Sequence, residues 1–337
     1  MRMTAAYRYA LLVTTLLLAS CNEKMQLHDD LNEYRQRLAN VLDSVPPAIT
    51  DITPLTLPPL AELRPDIENM TMQLSDFYAL QDCPVNTLIA ERNTSLGRAQ
   101  HPSSRFVYEV TLLESLESCL TQIEDEAIAG TLEKWLKQKT QQLPLVWADL
   151  IAGSEEVYLG LTRSSAYVAG DDSDGMTSTR AAFSYLLSLS SKPSNDSDVL
   201  EQHLQQLIEY RLPARLWRTQ LLVSHHLSVM TQWLKQIEGD IQCPNGKAIQ
   251  KAKYLVNVFN LFFIEKIQPV LGQVNRYHYQ LAPIIEELAH HPALPEALTT
   301  FLQTNIDERF NRYQQSVHTH ITWWQALFSR CGVRPGV

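Results

Sequence analysis

The stretch VLEQHLQQLIEYRLPARLWRTQLLVSHHLSVMTQWLKQIE, residues 199–238, decides the fold class of this chain. Its apolar residues recur at spacings of three and four, which is the pattern of a helix with one buried face. Asp198 and Glu201 have the spacing of a capping box, with aspartate in place of serine or threonine. Pro213 predicts a kink or a break within the run. The stretch therefore predicts a long, interrupted amphipathic helix.

The same helical spacing extends over most of the chain. Only 11 of the 337 residues are glycine, and almost no segment alternates between apolar and polar residues. We therefore predict an all-α fold, a multi-helix bundle of antiparallel helices. The predicted helices are 27–41, 66–81, 103–123, 124–142, 144–151, 155–168, 177–189, 199–238, 247–290 with interruptions at Pro269 and Pro283, and 295–330.

A proline-rich segment, residues 45–65, follows the first predicted helix and contains six prolines. Proline fixes φ and lacks a backbone donor, so the segment should be extended and semi-rigid. Its leucines and isoleucines indicate that it lies against the body of the protein. The predicted helical body is 66–337, and its best candidate for a lobe boundary is the polar region near 170–198.

The most apolar window after the first 20 residues is YLVNVFNLFFI, residues 254–264. A spanning helix needs about 20 apolar residues, and this window contains Asn257 and Asn260. We predict a buried core helix here rather than a membrane span.

The N-terminal segment has the layout of a secretory signal peptide. Arg2 and Arg8 precede an apolar core, residues 9–18, that is too short to span a membrane. The segment then ends in Leu-Ala-Ser-Cys, residues 18–21, which resembles a bacterial lipobox. The interpretation is a signal peptide over 1–20 and lipid attachment at Cys21, with 21–65 forming the anchor, first helix and proline-rich segment. The alternative is an ordinary cleaved signal with an incidental cysteine.

The residue after Cys21 is Asn22. In the enterobacterial pattern, aspartate at this position retains a lipoprotein in the inner membrane. Asn22 therefore favours the outer membrane, with the body facing the periplasm.

Four cysteines remain besides Cys21. An even number in an oxidising compartment predicts two disulfides, and three pairings are open. We favour Cys83–Cys119 and Cys243–Cys331, because each pair joins the ends of neighbouring helical segments. Their spacings match no zinc pattern, so no metal site is predicted.

The formal net charge is −9, and removal of Arg2 and Arg8 with the signal makes it more negative. An acidic body is unsuited to nucleic acid, so no nucleic-acid partner is predicted. The expected partners are the membrane, through lipid on Cys21, and an envelope protein or a cell-wall component.

Two groups of residues are candidates for an interaction surface. Arg211, Arg215 and Arg218 fall on one helix face beside Trp217 and could hold a phosphate, a carboxylate or an acidic helix. Internal pairing with acidic residues is the structural alternative. Trp323 and Trp324 are adjacent, so one of them should point outward, and an exposed tryptophan can be a binding hot spot.

Other constellations are weaker. The loop GDDSDG, residues 170–175, lacks the first ligand and the glutamate of a calcium loop, so a solvated loop is expected. The histidine pairs 225–226, 290–291 and 318–320 lack the spacing of an HExxH site and are expected at surfaces or interfaces. The sequence contains no GxSxG, SxxK, Walker or GxGxxG motif. No catalytic residue and no cofactor is therefore predicted.

The layout as a whole resembles an uncharacterised family of predicted gammaproteobacterial envelope lipoproteins, classed as a domain of unknown function. The resemblance rests on the lipobox, the proline-rich segment, the Cys-Pro turns at Cys83 and Cys243, and a helical body rich in leucine and glutamine. It implies no activity and no site residues. The leading hypothesis is a non-enzymatic envelope adaptor or accessory factor. The alternatives are a peptidoglycan hydrolase with an unrecognised carboxylate pair and a carrier of lipid or a small ligand.

Overall fold

A computed structural model describes residues 26–68, 70, 73–81, 83–94 and 100–333. The predicted signal peptide, Cys21 and Asn22 lie outside the described residues. The described part of the chain contains helices and no strand, which confirms the all-α prediction.

The described residues form fourteen α-helices, numbered in chain order. They are α1 Gln26–Leu42, α2 Leu60–Leu63, α3 Leu74–Ala79, α4 Pro84–Arg92, α5 Pro102–Leu120, α6 Glu126–Gly153, α7 Glu155–Thr162, α8 Met176–Ser191, α9 Ser197–Tyr210, α10 Leu212–Gln236, α11 Gln250–Val258, α12 Gln268–Ala289, α13 Glu296–Thr304 and α14 Phe310–Cys331. π-helical turns, Phe259–Ile267 and Asn305–Arg309, join α11 to α12 and α13 to α14.

Helix α1 is part of the main hydrophobic core. Leu31, Tyr34 and Leu38 recur at helical spacing and are fully buried. The face that they form packs against α10, α11 and the first π-helical turn. Burial of such a face stabilises a helix far more than its intrinsic propensity does.

The proline-rich segment lies against the body, as predicted. It runs extended after α1, and Leu57 and Leu63 are buried in the main core. Arg64, at its end, forms a bidentate ion pair with the buried carboxylate of Asp149 at 2.7 and 2.8 Å. Two buried leucine side chains and an ion pair therefore hold this segment in one place.

Within the described residues of the helix predicted over 66–81, only α3 is helical. Ile67 is instead buried in the main core, in a part of the chain, 65–68, without helical structure. The helix predicted over 103–123 is confirmed as α5, which ends three residues earlier than predicted.

The predicted breaks at Pro144 and Pro283 are wrong, whereas Pro269 lies where a π-helical turn changes to α-helix. Pro144 lies inside α6 and Pro283 inside α12, while Pro269 occupies the first turn of α12. Each proline removes one backbone hydrogen bond, and the buried faces on either side of it keep the helix continuous. The π-helical turn before Pro269 already departs from the regular ladder, which accommodates the missing donor.

The helical stretch 199–238 is divided into two helices, as predicted, but the break is at Arg211 rather than at Pro213. This residue adopts a left-handed conformation with φ of 44°, and Pro213 lies in the first turn of α10. The predicted cap at Asp198 is wrong by two residues. The side chain of Asp196 instead accepts a hydrogen bond from the backbone N–H of Val199.

The core has two parts. The main cluster includes side chains before, within and after the region 170–198. A small second cluster lies among α3, α4, α5 and the start of α6; it contains Leu80, Cys83, Val85, Leu112, Leu116, Cys119 and Leu132. A lobe boundary near 170–198 stays a prediction.

Both predicted disulfides are confirmed. Cys83 pairs with Cys119, with Cα atoms 5.7 Å apart, and links α4 to α5. Cys243 pairs with Cys331, with Cα atoms 5.0 Å apart, and fixes the end of α14 to the loop after α10. A disulfide stabilises mainly by restricting the unfolded chain.

The apolar window 254–264 lies in the core, as predicted, with Leu255, Phe259 and Phe263 buried. Tyr254 and Leu261 on the same helix are about half exposed, each at 51%. Among the described helices, none has the length and apolar character that a membrane crossing requires.

Candidate functional site

Most of the predicted interaction group Arg211, Arg215, Arg218 and Trp217 makes contacts within the protein. Arg215 is buried and lies 3.1 Å from the carboxylate of Asp172. Arg211 donates from Nε to the carbonyl of Ile208 at 2.9 Å, which satisfies one of the last carbonyls of α9. Trp217 is buried against Phe301.

Arg218 is the exposed member of this group. It donates to the carbonyl of Ser164 at 3.0 Å and to the hydroxyl of Tyr167 at 3.1 Å. Its guanidinium also lies 4.8 Å from the centroid of the Tyr167 ring, within cation–π range. Arg218 is thus the one residue of this group whose side chain is both held by neighbouring residues and accessible to solvent.

The loop 170–175 is largely exposed to solvent, as predicted, but Asp172 is an exception. The Asp172 side chain is only 6% exposed and pairs with Arg215. The Asp172 carbonyl accepts hydrogen bonds from Gln273 and from the hydroxyl of Tyr277. Asp172 therefore fixes the loop to α10 and α12, and Arg215 supplies the charge that makes its burial favourable.

The prediction that Trp323 or Trp324 points outward is wrong. Trp323 is 5% exposed and Trp324 is fully buried. Trp324 donates from Nε1 to Tyr34 at 2.9 Å and packs against Phe259. These rings belong to the core, where they join α14 to α1 and to the π-helical turn.

The prediction of surface histidines is wrong at two positions, since His226 and His320 are buried. His278, which is outside the predicted pairs, is also buried. Burial lowers the pKa of His226 and His278 to about 4 and that of His320 to about 3. All three are therefore neutral at neutral pH.

A cleft of about 430 Å³ opens between α1, the proline-rich segment and α10. We call it the N-terminal cleft. It is lined by His28, Asn32, Arg35, Ile49, Thr50, Asp51, Ile52, Pro54, Tyr167, Arg218, Leu221, Leu222 and His226.

Each wall of the N-terminal cleft contributes polar groups. His28, Asn32 and Arg35 recur at spacings of three and four, so α1 presents them on one face. The chain at 45–54 crosses this face and is fixed by a hydrogen bond from Arg35 to the carbonyl of Pro47 at 2.7 Å. His226 closes the cleft from α10, with its ring centroid 6.1 Å from that of His28.

The chemistry of the cleft is that of a polar binding site. Guanidinium, imidazole, amide and hydroxyl groups line it, and Asp51 is its only carboxylate among the described residues. Such groups can receive oxygen atoms of a ligand through charge-assisted hydrogen bonds.

A second cleft of about 400 Å³ runs between α10 and α14. Its lining is almost entirely hydroxyl and amide side chains with two cations: Ser224, Ser228, Thr231, Gln232, Lys235, Arg312, Gln315, Ser316 and Thr319. Arg312 lies 3.6 Å from Glu308 of the preceding turn.

No group of three or more histidine, cysteine, aspartate or glutamate side chains suited to a metal ion occurs within the part of the chain described. Glu286 and Glu287, adjacent on α12, are both exposed to solvent.

A family model described as "Protein of unknown function (DUF3080)" matches residues 31–335. The chain belongs to this family. The resemblance to a domain-of-unknown-function family is thereby confirmed. No curated protein and no solved structure matches the chain. The DUF3080 match includes the four disulfide cysteines and every cleft residue except His28.

Sequence reasoning missed most of the N-terminal cleft in this DUF3080 protein. Arg218 was a candidate, but Arg35, Thr50 and His226 were not. The adjacent pair at 225–226 was visible in the sequence, yet its second member could be assigned to a cleft only once α1 and the proline-rich segment were placed beside it.

Proposed function

We propose that this protein is a lipid-anchored envelope protein that faces the periplasm and acts by binding, as a non-enzymatic adaptor or accessory factor. The observation that carries the proposal is the position of α1. This helix begins at Gln26, five residues after Cys21, and belongs to the main core. An anchor at Cys21 would thus be joined to a packed body without a long linker.

The short connection sets the distance between the body and the membrane. An extended chain spans at most about 3.6 Å per residue, so residues 21–25 reach no further than about 18 Å. The N-terminal cleft begins at His28, in the first turns of α1. A lipid on Cys21 would therefore hold this cleft close to the membrane surface.

The lipid itself is supported by the sequence. A lipobox implies a diacylglyceryl thioether on Cys21, and two or more acyl chains give stable anchoring. Asn22 supports sorting to the outer membrane. The two disulfides fit an oxidising compartment.

Binding rather than catalysis is supported by the lining of the N-terminal cleft. A glycosidase mechanism uses two carboxyl groups about 5–9.5 Å apart, whereas Asp51 is the only carboxylate that lines the described cleft. A lipid carrier would need a large apolar cavity, and this lining is rich in polar groups.

Site-specific photocrosslinking in native envelopes tests the proposal. A photoreactive amino acid at Thr50, exposed at the cleft, should capture a discrete envelope component. The same group at Lys134, which is exposed on α6, should not capture it. Equal capture from both positions, together with release of muropeptides from purified peptidoglycan, would instead support the hydrolase alternative.

A further inference from the structure

Within the described part of the chain, two arginines of the N-terminal cleft have no carboxylate partner. Neither Arg35 nor Arg218 appears among the ion pairs within 4.0 Å in the described chain. Arg35 uses one donor on the carbonyl of Pro47, and Arg218 uses two, on Ser164 and Tyr167. A guanidinium carries five N–H donors, so both side chains keep donors for a ligand.

Two buried nitrogen atoms at the cleft have no acceptor or donor partner within the described residues. They are Nε of Arg35 and Nδ1 of His226. His226 is only 1% exposed, and burial, with smaller contributions from His28, His225 and Arg35, keeps its pKa at about 4. A buried polar group without a partner is unfavourable, so a ligand that supplies a partner would be stabilised there.

We propose that the N-terminal cleft binds a phosphate group, held by the guanidinium groups of Arg35 and Arg218 with His226 behind them. The forked donors of arginine match phosphate oxygens, and neutral His226 can give one further N–H. The amide of Asn32 and the hydroxyl of Thr50 line the same space. A single carboxylate has too few oxygen atoms to accept hydrogen bonds from all of these donors. A phosphate group has more, so the number of donors favours phosphate.

Among the described residues that line the N-terminal cleft, Asp51 alone carries a negative charge, which would repel an anion. Its side chain is exposed to solvent, where salt and water screen its repulsion of an anion. The protein as a whole is acidic, with a net charge of −9, so the site is a local cationic recess rather than part of a basic surface.

Two sources of phosphate fit this chemistry, a phospholipid headgroup and a soluble phosphate. A headgroup is within reach because His28 is seven residues after Cys21, a span of at most about 25 Å. The inference rests on the proposed function in one respect, that the N-terminal cleft is the binding surface.

Titration calorimetry on the full chain, purified from membranes in neutral detergent, tests the inference. One arm uses inorganic phosphate and the other dihexanoyl phosphatidylglycerol, both at constant ionic strength. Arg35→Met and Arg218→Met should each weaken binding at least about tenfold. Arg37→Met is the matched control, because Arg37 lies on the exposed side of α1 and pairs with Glu33 at 3.1 Å. It should bind within about twofold of the native chain.

The two titrations distinguish a soluble phosphate from a phospholipid headgroup. Binding of phosphate in the first arm supports a soluble source, and binding of phosphatidylglycerol alone with the same variant pattern supports a lipid headgroup. No binding in either arm, or equal weakening by Arg37→Met, overturns the inference. Circular dichroism checks each variant, and Arg218→Met keeps the test decisive if Arg35→Met unfolds. A partner that still crosslinks at Thr50 when phosphate does not bind leaves the proposed function standing.

Discussion

The hydroxyl of Tyr34 lies 2.9 Å from Nε2 of His320, which links the first helix of the chain to the last. Thr231 donates to the carbonyl of Leu227, so its oxygen accepts the Nδ1 proton of His320 at 2.8 Å. Nε2 is then an acceptor, and Tyr34 donates to it while accepting from Nε1 of Trp324. All donors in this buried network are paired, which fixes α1 against α10 and α14.

Tyr34→Phe should lower the free energy of unfolding by about 1–2 kcal/mol, because it removes one buried hydroxyl and leaves Nε2 of His320 with fewer donors. Urea unfolding measures the loss. Tyr254→Phe is the control, since Tyr254 is 51% exposed, and its effect should be close to zero. Equal effects of the two substitutions would show that the network contributes no stability.

Acidification should destabilise the protein below about pH 6.5. The folded-state pKa values of His226, His278 and His320 lie below the unfolded value, chiefly because of burial. The unfolded chain therefore binds more protons, and stability present above pH 6.5 is lost as the pH falls toward 3–4.

His320 alone should account for a loss of about 2 kcal/mol between pH 7 and pH 5. His320→Gln should reduce the pH dependence by that amount, whereas His318→Gln, at an exposed position on the same helix, should not. Unfolding free energies at the two pH values give the comparison. A pH dependence unchanged in His320→Gln would contradict a neutral, buried imidazole.

The ion pair between Asp172 and Arg215 should be strongly coupled. Asp172→Asn leaves the buried guanidinium uncompensated and should cost about 3 kcal/mol. Adding Arg215→Met should cost less than the sum of the single changes, because it removes the unpaired charge. Asp171→Asn, at an exposed neighbour in the same loop, is the control. Additive costs in this double-mutant cycle would argue against the pair.

Arg64→Met should loosen the proline-rich segment. Arg64 shares the buried carboxylate of Asp149 with Arg105, which lies 3.6 Å away, so the carboxylate keeps one partner when Arg64 is replaced. The body should then stay folded while thermolysin cleaves within 52–60 several times faster. Arg180→Met, at an exposed position on α8, should leave cleavage unchanged. An unchanged rate in Arg64→Met would mean that other contacts fix the segment.

The fold class and both disulfides could be predicted from the sequence. Apolar spacing of three and four marks helices wherever one face is buried, and this holds for α1, α10 and α14. The four cysteines lie at ends of neighbouring helical segments, which limits the reasonable pairings. The helical spacing depends on residues close together in the chain, whereas the disulfides join residues 36 and 88 positions apart, and their pairing was inferred from the predicted helix ends.

The helix ends at prolines were predicted poorly. Pro144 and Pro283 read locally as breaks, but each removes only one hydrogen bond from a helix whose apolar face is buried on both sides. Ile67 shows the opposite case, because it is buried in the main core while the described residues around it, 65–68, form no helix.

The N-terminal cleft could not be predicted because its parts are distant in sequence. Arg35 and His226 meet only after α1 packs against α10 and the proline-rich segment crosses them. Spacing within one helix shows which residues share a face, but it does not show which other face will lie opposite. The same limit explains why one of Trp323 and Trp324 was expected to point outward.

Mass spectrometry of the N-terminal tryptic peptide of the protein purified from membranes tests the account most directly. The account predicts a peptide that begins at Cys21 and ends at Lys24, with a diacylglyceryl group on the cysteine and an N-acyl chain. A chain that begins elsewhere, or a peptide with an unmodified Cys21, would contradict the anchor and with it the proposed position of the body at the membrane.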